Sequence, residues 1–134
     1  MLVVLRLTEV VVDCRDPEVL GSFWSAALGY HVVRHENGQV ELTPWETEPA
    51  DLAERVRLAP GVPTLVFVPV PEGKTIKNRL HLDVRPADGS YDDEVRRLLD
   101  LGARPADIGQ GSVPWTVLAD PEGNEFCVLG PLPG

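Results

Sequence analysis

A histidine and several charged residues alternate with apolar residues in the stretch NRLHLDVR, residues 78–85. If this stretch is a β-strand, its two sets of side chains leave on opposite faces of a sheet. One face is then apolar, and the other carries Arg79, His81, Asp83 and Arg85. An imidazole in such surroundings can act as an acid or base, bind a metal ion, or simply hydrogen-bond to a neighbouring carboxylate or water.

Two other predicted strands place polar side chains by the same alternation. Glu9 and Asp13 share the polar face of a strand near the start of the chain, and Glu125 and Cys127 share one face of the last strand. We therefore expect one histidine, His81, and two glutamates, Glu9 and Glu125, to converge.

The helix that follows the first strand has clear start and stop signals. Asp16 is a favourable N-cap, Pro17 suits the first helical position, and Gly29 suits the left-handed residue that ends a helix. Phe23 and Trp24 belong to a wide apolar stripe along this helix. The helix is therefore expected to pack on a sheet.

One order of elements occurs twice in the chain. The first strand, residues 3–14, is followed by its helix and by a hairpin around Asn37 and Gly38. An acidic loop with a short helical turn is then predicted within residues 46–61, and the strand PTLVFVPV follows it. The same order returns as the strand NRLHLDVRPAD, the helix SYDDEVRRLLDLG, and three strands, ARPADI, VPWTVLAD and EFCVLG, with the turn DPEG between the last two.

This repeat predicts an α+β fold of two βαβββ modules, residues 1–70 and 78–130, within a single domain of residues 1–134. Each helix would cover one face of its strands. The opposite faces are then expected to form a curved mixed sheet around a cavity.

Charge and hydropathy exclude several classes of function. The net charge is −9, from 21 Asp plus Glu against 12 Lys plus Arg, so the basic surface that nucleic-acid binding needs is not expected. An acidic surface favours neutral or cationic small molecules instead.

The sequence contains no apolar run long enough to span a membrane. The apolar start MLVVL is interrupted by Arg6, so we expect a strand there rather than a signal peptide. Together these observations predict a cytoplasmic protein. Cys14 and Cys127 lack metal-type spacing and are expected to be buried thiols.

Three stretches, VVVDCRDPEVLGSFWSAALGY, KNRLHLDV and, most specifically, DPEGNEFCVL, resemble the vicinal oxygen chelate superfamily, also called the glyoxalase, bleomycin-resistance and dioxygenase superfamily. The resemblance implies a glyoxalase/bleomycin-resistance-like fold and a metal centre whose ligands are His81, Glu125 and Glu9. The fourth ligand position falls at or near Val68, which cannot coordinate a metal. A second alignment places Val11, rather than Glu9, opposite His81.

Two classes of function follow. The first is a small-molecule-binding protein, antibiotic-sequestering or otherwise metal-independent, which the valine at the fourth position favours. The alternative is a lyase or isomerase, less favourably a ring-cleaving dioxygenase, in which one divalent ion (Mn, Zn, Fe(II) or Mg) chelates adjacent oxygens of a substrate and Glu125 and His81 are catalytic.

Six further side chains are expected to contact the ligand: Asp13, Arg79, Asp83, Arg85, Trp115 and Cys127. The alternation of side chains along the strand VPWTVLAD is compatible with Trp115 either in the core or in a cavity wall. His31 and His35 are expected at the surface. The resemblance also implies a homodimer.

Overall fold

The structure is a computed structural model that describes residues 5–46, 53, 56–57 and 61–130. The chain divides into two compact units, Met1–Pro71 and Glu72–Gly134.

The first unit is a four-stranded mixed sheet with one helix. Its elements are β1 (Glu9–Cys14), α1 (Pro17–Leu28), β2 (His31–Arg34), β3 (Val40–Thr43) and β4 (Thr64–Pro69). The strand order is β1-β4-β3-β2, with β1 parallel to β4 and the other neighbours antiparallel. This arrangement confirms the first βαβββ order predicted from the sequence.

Helix α1 begins and ends where its capping residues predict. The Asp16 carboxylate accepts hydrogen bonds from the backbone N–H groups of Glu18 and Val19 at 3.1 and 3.2 Å, and Gly29 has a φ of 73°. Phe23 and Trp24 are buried and their rings meet edge to face, with centroids 5.2 Å apart. The predicted packing of this helix on the sheet is confirmed.

Gly21 lets α1 approach strand β3 closely. A Cβ atom at this position would lie 2.7 Å from Cγ1 of the buried Val40, closer than two carbon atoms can pack. A glycine inside a helix is unfavourable by itself, so the close approach explains why it stands there.

Two predictions for this unit need correction or fall partly outside the structure. The first strand begins at Glu9 rather than at position 3, and residues 1–4 lie outside the described residues. The loop and helical turn predicted within 46–61 also lie mostly outside them, although positions 53, 56 and 57 are helical. The Arg6 guanidinium donates to the carbonyl oxygens of Val56 and Arg57 at 3.0 and 3.3 Å.

The second unit repeats the order of the first. It contains β5 (Asp83–Val84), α2 (Tyr91–Leu101), β6 (Arg104–Pro105), β7 (Thr116–Ala119) and β8 (Glu125–Val128). The strand order is β5-β8-β7-β6, with β5 parallel to β8. The fold is therefore α+β with two βαβββ modules, as predicted; the cavity remains a prediction.

Helix α2 is fixed at its first turn to the sheet of its own unit. Ser90 caps it by accepting a hydrogen bond from the backbone N–H of Asp93, and Leu98 is buried. The Tyr91 hydroxyl hydrogen-bonds to the Thr116 hydroxyl and to the carbonyl oxygen of Val128.

The strand predicted over residues 78–85 is much shorter in the structure. Only Asp83 and Val84 pair, opposite Cys127 and Val128. Alternation predicts an extended chain, but a strand also needs a neighbour. Because β8 begins at Glu125, the residues that precede position 81 have no strand residue beside them in this register.

No helix within the described ranges combines the length and the apolar character needed to cross a membrane.

Candidate functional site

A group of three polar side chains lies at the junction of β5 and β8. Asp83 and Cys127 are opposite each other in the parallel pair, and His81 stands two residues before Asp83. The His81 Nε2 atom is 3.2 Å from Oδ1 of Asp83, and the donor atoms of all three residues lie within 4.8 Å of one another. We call this group the His81–Asp83–Cys127 cluster.

The cluster is open on one side and buried on the other. The side chains of His81 and Asp83 are 44% and 48% exposed, whereas Cys127 is buried. Burial raises the pKa of the Cys127 thiol, and the charge and hydrogen bond of Asp83 raise it further, against a smaller lowering by Lys77. The thiol is therefore protonated at neutral pH and is a weak nucleophile as it stands.

Glu125, on the same face of β8 as Cys127, is held by two donors. Lys74 Nζ is 2.9 Å from Oε1 and the backbone N–H of Asn78 donates to Oε2 at 3.0 Å. The pair is largely buried, since the side chains of Lys74 and Glu125 are 16% and 14% exposed. These contacts fasten the 72–82 segment to β8.

The turn between β7 and β8 holds the same segment from a second side. Asn78 Nδ2 donates to Oδ1 of Asn124 at 3.1 Å, and Asn124 Nδ2 in turn donates to both carboxylate oxygens of Asp120. Asp120 is 1% exposed and also accepts from the backbone N–H groups of Glu122 and Asn124, each at 3.0 Å. A buried carboxylate therefore organises the turn that positions Asn78.

Opposing effects act on the pKa of Glu125. Burial raises it, but the hydrogen bond from Lys74, those from the backbone N–H groups of Asn78 and of Glu125 itself, and the charge of Lys74 outweigh burial and lower the pKa below the ordinary 4.5. The carboxylate is therefore ionised at neutral pH.

Acid is expected to remove the stabilisation that Glu125 provides. A carboxyl group whose pKa is lower in the folded state stabilises the fold above its unfolded pKa, and this contribution disappears as the pH falls through the folded pKa. Urea unfolding at about pH 7, 5 and 3.5 should show wild type losing its advantage over Glu125→Gln as the pH falls. An advantage of the same size at all three pH values would contradict this expectation.

The residues predicted to bind a metal ion differ in their contacts and in their exposure to solvent. Glu125 is not a member of the His81–Asp83–Cys127 cluster, and both of its carboxylate oxygens already have donors. Glu9 lies in the first unit and is exposed, and Val68 lies in β4. Glu125 would have to leave Lys74 before it could bind a metal ion, and the metal centre of His81, Glu125 and Glu9 stays a prediction.

Other predicted residues can be placed individually. Trp115 is 39% exposed and so is not a core residue, while Cys14 and Cys127 are buried thiols, as predicted. Asp13 is exposed on β1. His31 and His35 are at the surface as expected, although His35 Nε2 does contact Oε1 of Glu41 at 3.0 Å.

Two arginines, Arg79 and Arg85, lie beside the cluster in sequence. Neither is the ion-pair partner of Glu125, which is Lys74. Both arginines are exposed and form no ion pair with any carboxylate that the structure describes. They remain candidates for ligand contact.

Four supporting residues were missed by the sequence reasoning: Lys74, Asn78, Asp120 and Asn124. One signal was available for the first of them. The chain contains only two lysines, and both lie in the linker PEGKTIK between the predicted modules. Two isolated lysines in an acidic chain, next to a strand of charged residues, could have indicated a partner for Glu125.

Solved structures with the same fold cover nearly the whole chain. A glyoxalase/bleomycin resistance protein/dioxygenase family enzyme from Burkholderia phytofirmans is 18% identical over 95% of this chain and 99% of its own, with a TM-score of 0.64. The fosfomycin resistance protein FosX from Listeria monocytogenes is 10% identical over 97% of this chain and 96% of its own, with a TM-score of 0.63. TnmS3, an antibiotic binding protein from Streptomyces, is 18% identical over 98% of this chain and 100% of its own, with a TM-score of 0.57.

Sequence comparison identifies the family independently of the structure. A search among curated proteins gave no significant match. The family profile of the glyoxalase-like domain, however, matches residues 9–129, which include every strand and both helices described above. The chain therefore belongs to the glyoxalase-like domain family, within the vicinal oxygen chelate superfamily that its sequence resembles.

Proposed function

We propose that this protein binds a small molecule without the help of a metal ion, at the face of the second unit that carries the His81–Asp83–Cys127 cluster. The observation that carries the proposal is the Lys74–Glu125 ion pair. The ammonium group of Lys74 gives Glu125 the positive partner that a divalent ion would otherwise provide. A metal ion at Glu125 would have to break a largely buried pair first.

The neighbouring side chains favour a polar ligand. His81 and Asp83 are half exposed and can exchange hydrogen bonds with a bound molecule, and Trp115 exposes an aromatic ring in the same unit. Arg79 and Arg85 flank the cluster in sequence and have no described acidic partner. Residues 72–85 contain four Lys or Arg against two acidic residues, so this stretch favours an anionic group on the ligand although the whole chain is acidic.

The names of two structural neighbours support an antibiotic as the ligand. One is described as a fosfomycin resistance protein and another as an antibiotic binding protein. We accordingly propose an antibiotic or a compound of similar size. The homodimer that the resemblance implies stays a prediction.

Calorimetric titration of protein freed of metal with EDTA tests the proposal. The probes are fosfomycin, an anionic phosphonate, and metal-free bleomycin, a cationic glycopeptide. In the presence of EDTA we expect saturable binding of fosfomycin rather than bleomycin, with affinity reduced at least about tenfold in His81→Ala and Arg79→Ala. His31→Ala, an exposed histidine of the first unit, is the matched control and should bind as wild type does.

Other outcomes would overturn the proposal. Binding of neither probe, or equal affinity in His81→Ala and wild type, would contradict the ligand class or the site. Binding that appears only after Mn²⁺ or Zn²⁺ is added, and that Glu125→Gln abolishes, would favour the alternative. That alternative is a metal-dependent lyase or isomerase, for which the convergence of His81 with further donor groups is the supporting observation.

A further inference from the structure

The His81–Asp83–Cys127 cluster has the donor types of a zinc site. An imidazole, a carboxylate and a thiol meet within 4.8 Å, and three protein donors with one open position are typical of zinc centres that also bind water or substrate. We infer that this cluster binds Zn²⁺ or a similar borderline ion, at a place distinct from Glu125. The inference goes beyond the proposed function, which requires no ion; an ion held by His81 and Asp83 would compete with the proposed ligand for these side chains.

The distances fit this assignment without a large rearrangement. Two nitrogen or oxygen donors in a tetrahedral zinc site are about 3.3–3.5 Å apart, since each lies about 2.0–2.2 Å from the ion. His81 Nε2 and Asp83 Oδ1 are 3.2 Å apart. The sulfur would lie about 3.5 Å from each of them in such a site, so a side-chain movement of about 1 Å completes the geometry.

The backbone holds two of the three donors in place. Asp83 and Cys127 are opposite each other on paired strands, and this ladder is fastened by hydrogen bonds from Cys127 N to Leu82 O at 3.0 Å and from Leu129 N to Val84 O at 2.7 Å. His81 stands just outside the ladder, where its ring can adjust to an ion.

The donor set discriminates among ions. A thiolate and an imidazole favour zinc and cobalt(II) over magnesium and manganese. With the thiol proton released to solvent, Asp83 and Cys127 together carry two negative charges, which match one divalent ion. The oxygen-rich centre implied by the superfamily resemblance would favour the harder ions instead, so the two sites predict different metals.

Cobalt(II) titration of EDTA-treated protein tests this inference directly. A thiolate bound to cobalt gives a charge-transfer absorption in the near ultraviolet, and we expect this band to saturate at one equivalent and to disappear when Zn²⁺ is added. Cys127→Ser should lose the band, and His81→Gln and Asp83→Asn should weaken cobalt binding at least about tenfold. Circular dichroism checks that each variant is folded, and His81 is exposed enough for its replacement to leave the fold intact.

Two variants separate this site from its alternatives. Cys14→Ser removes the other buried thiol, which lies in the first unit, and should keep the band. Glu125→Gln should also keep it. The inference is wrong if wild type gives no band, if Cys14→Ser abolishes it, or if Glu125→Gln abolishes cobalt binding while Cys127→Ser retains it. The fosfomycin titration is done in EDTA and therefore does not depend on metal binding. Either the ligand proposal or the metal-site inference can fail without the other.

Discussion

Replacing Asp120 by alanine is expected to lower the free energy of unfolding by about 3 kcal/mol, because several partly buried donors lose their buried acceptor at once. The donors are the backbone N–H groups of Glu122 and Asn124 and the side-chain amide of Asn124. Asp120 is 1% exposed, so water cannot take over all of these hydrogen bonds. Urea unfolding of the purified variant measures the change.

Asp107→Ala is the matched control for this prediction. Asp107 Oδ1 also accepts a hydrogen bond from a backbone N–H two residues ahead, that of Gly109 at 2.8 Å, but the residue is exposed. Water can replace that acceptor, so we expect a loss below about 1 kcal/mol. Equal losses in the two variants would show that burial of the Asp120 carboxylate does not matter.

Lys74→Met is expected to destabilise the protein by about 2–3 kcal/mol, because it leaves the Glu125 carboxylate without its counter-charge in a largely buried position. The value lies below the 3–5 kcal/mol of a fully buried pair, since both side chains keep some contact with water and Asn78 N still donates to Glu125. Urea unfolding at neutral pH gives the number.

A double replacement distinguishes pairing from simple packing. In Lys74→Met with Glu125→Leu both charges are gone, and apolar groups of similar size fill their places. We expect most of the lost stability to return. If the double variant is as unstable as the sum of the two single variants, the ion pair is not what stabilises this region.

Local signals were sufficient to predict α1 and the hairpin after it. The hydrogen bonds of Asp16 and the left-handed Gly29 involve residues only a few positions apart, so their chemistry can be read from the sequence. The same holds for the hairpin, where Gly38 has a φ of 84° in the turn between β2 and β3.

The candidate site depends on contacts between distant residues, which is why its prediction was incomplete. Alternation correctly grouped His81 with Asp83 and placed Cys127 on the same face as Glu125. It could not show that Lys74, 51 positions before Glu125, would pair with it. The alternation of side chains around Trp115 could not decide its burial either, because the same pattern fits a core residue and an exposed one.

The parallel pairs β1–β4 and β5–β8 determine when parts of the chain can fold during synthesis. Among the described strands, β1 has only β4 as a neighbour, and Glu9 is paired with Thr64. Strand β1 therefore cannot pair until more than fifty further residues have left the ribosome. β5 depends on β8 in the same way. A nascent or truncated chain that stops before β4 would expose both edges of β1 to aggregation. Neither module can be shortened at its last strand, because that strand is the partner of its first.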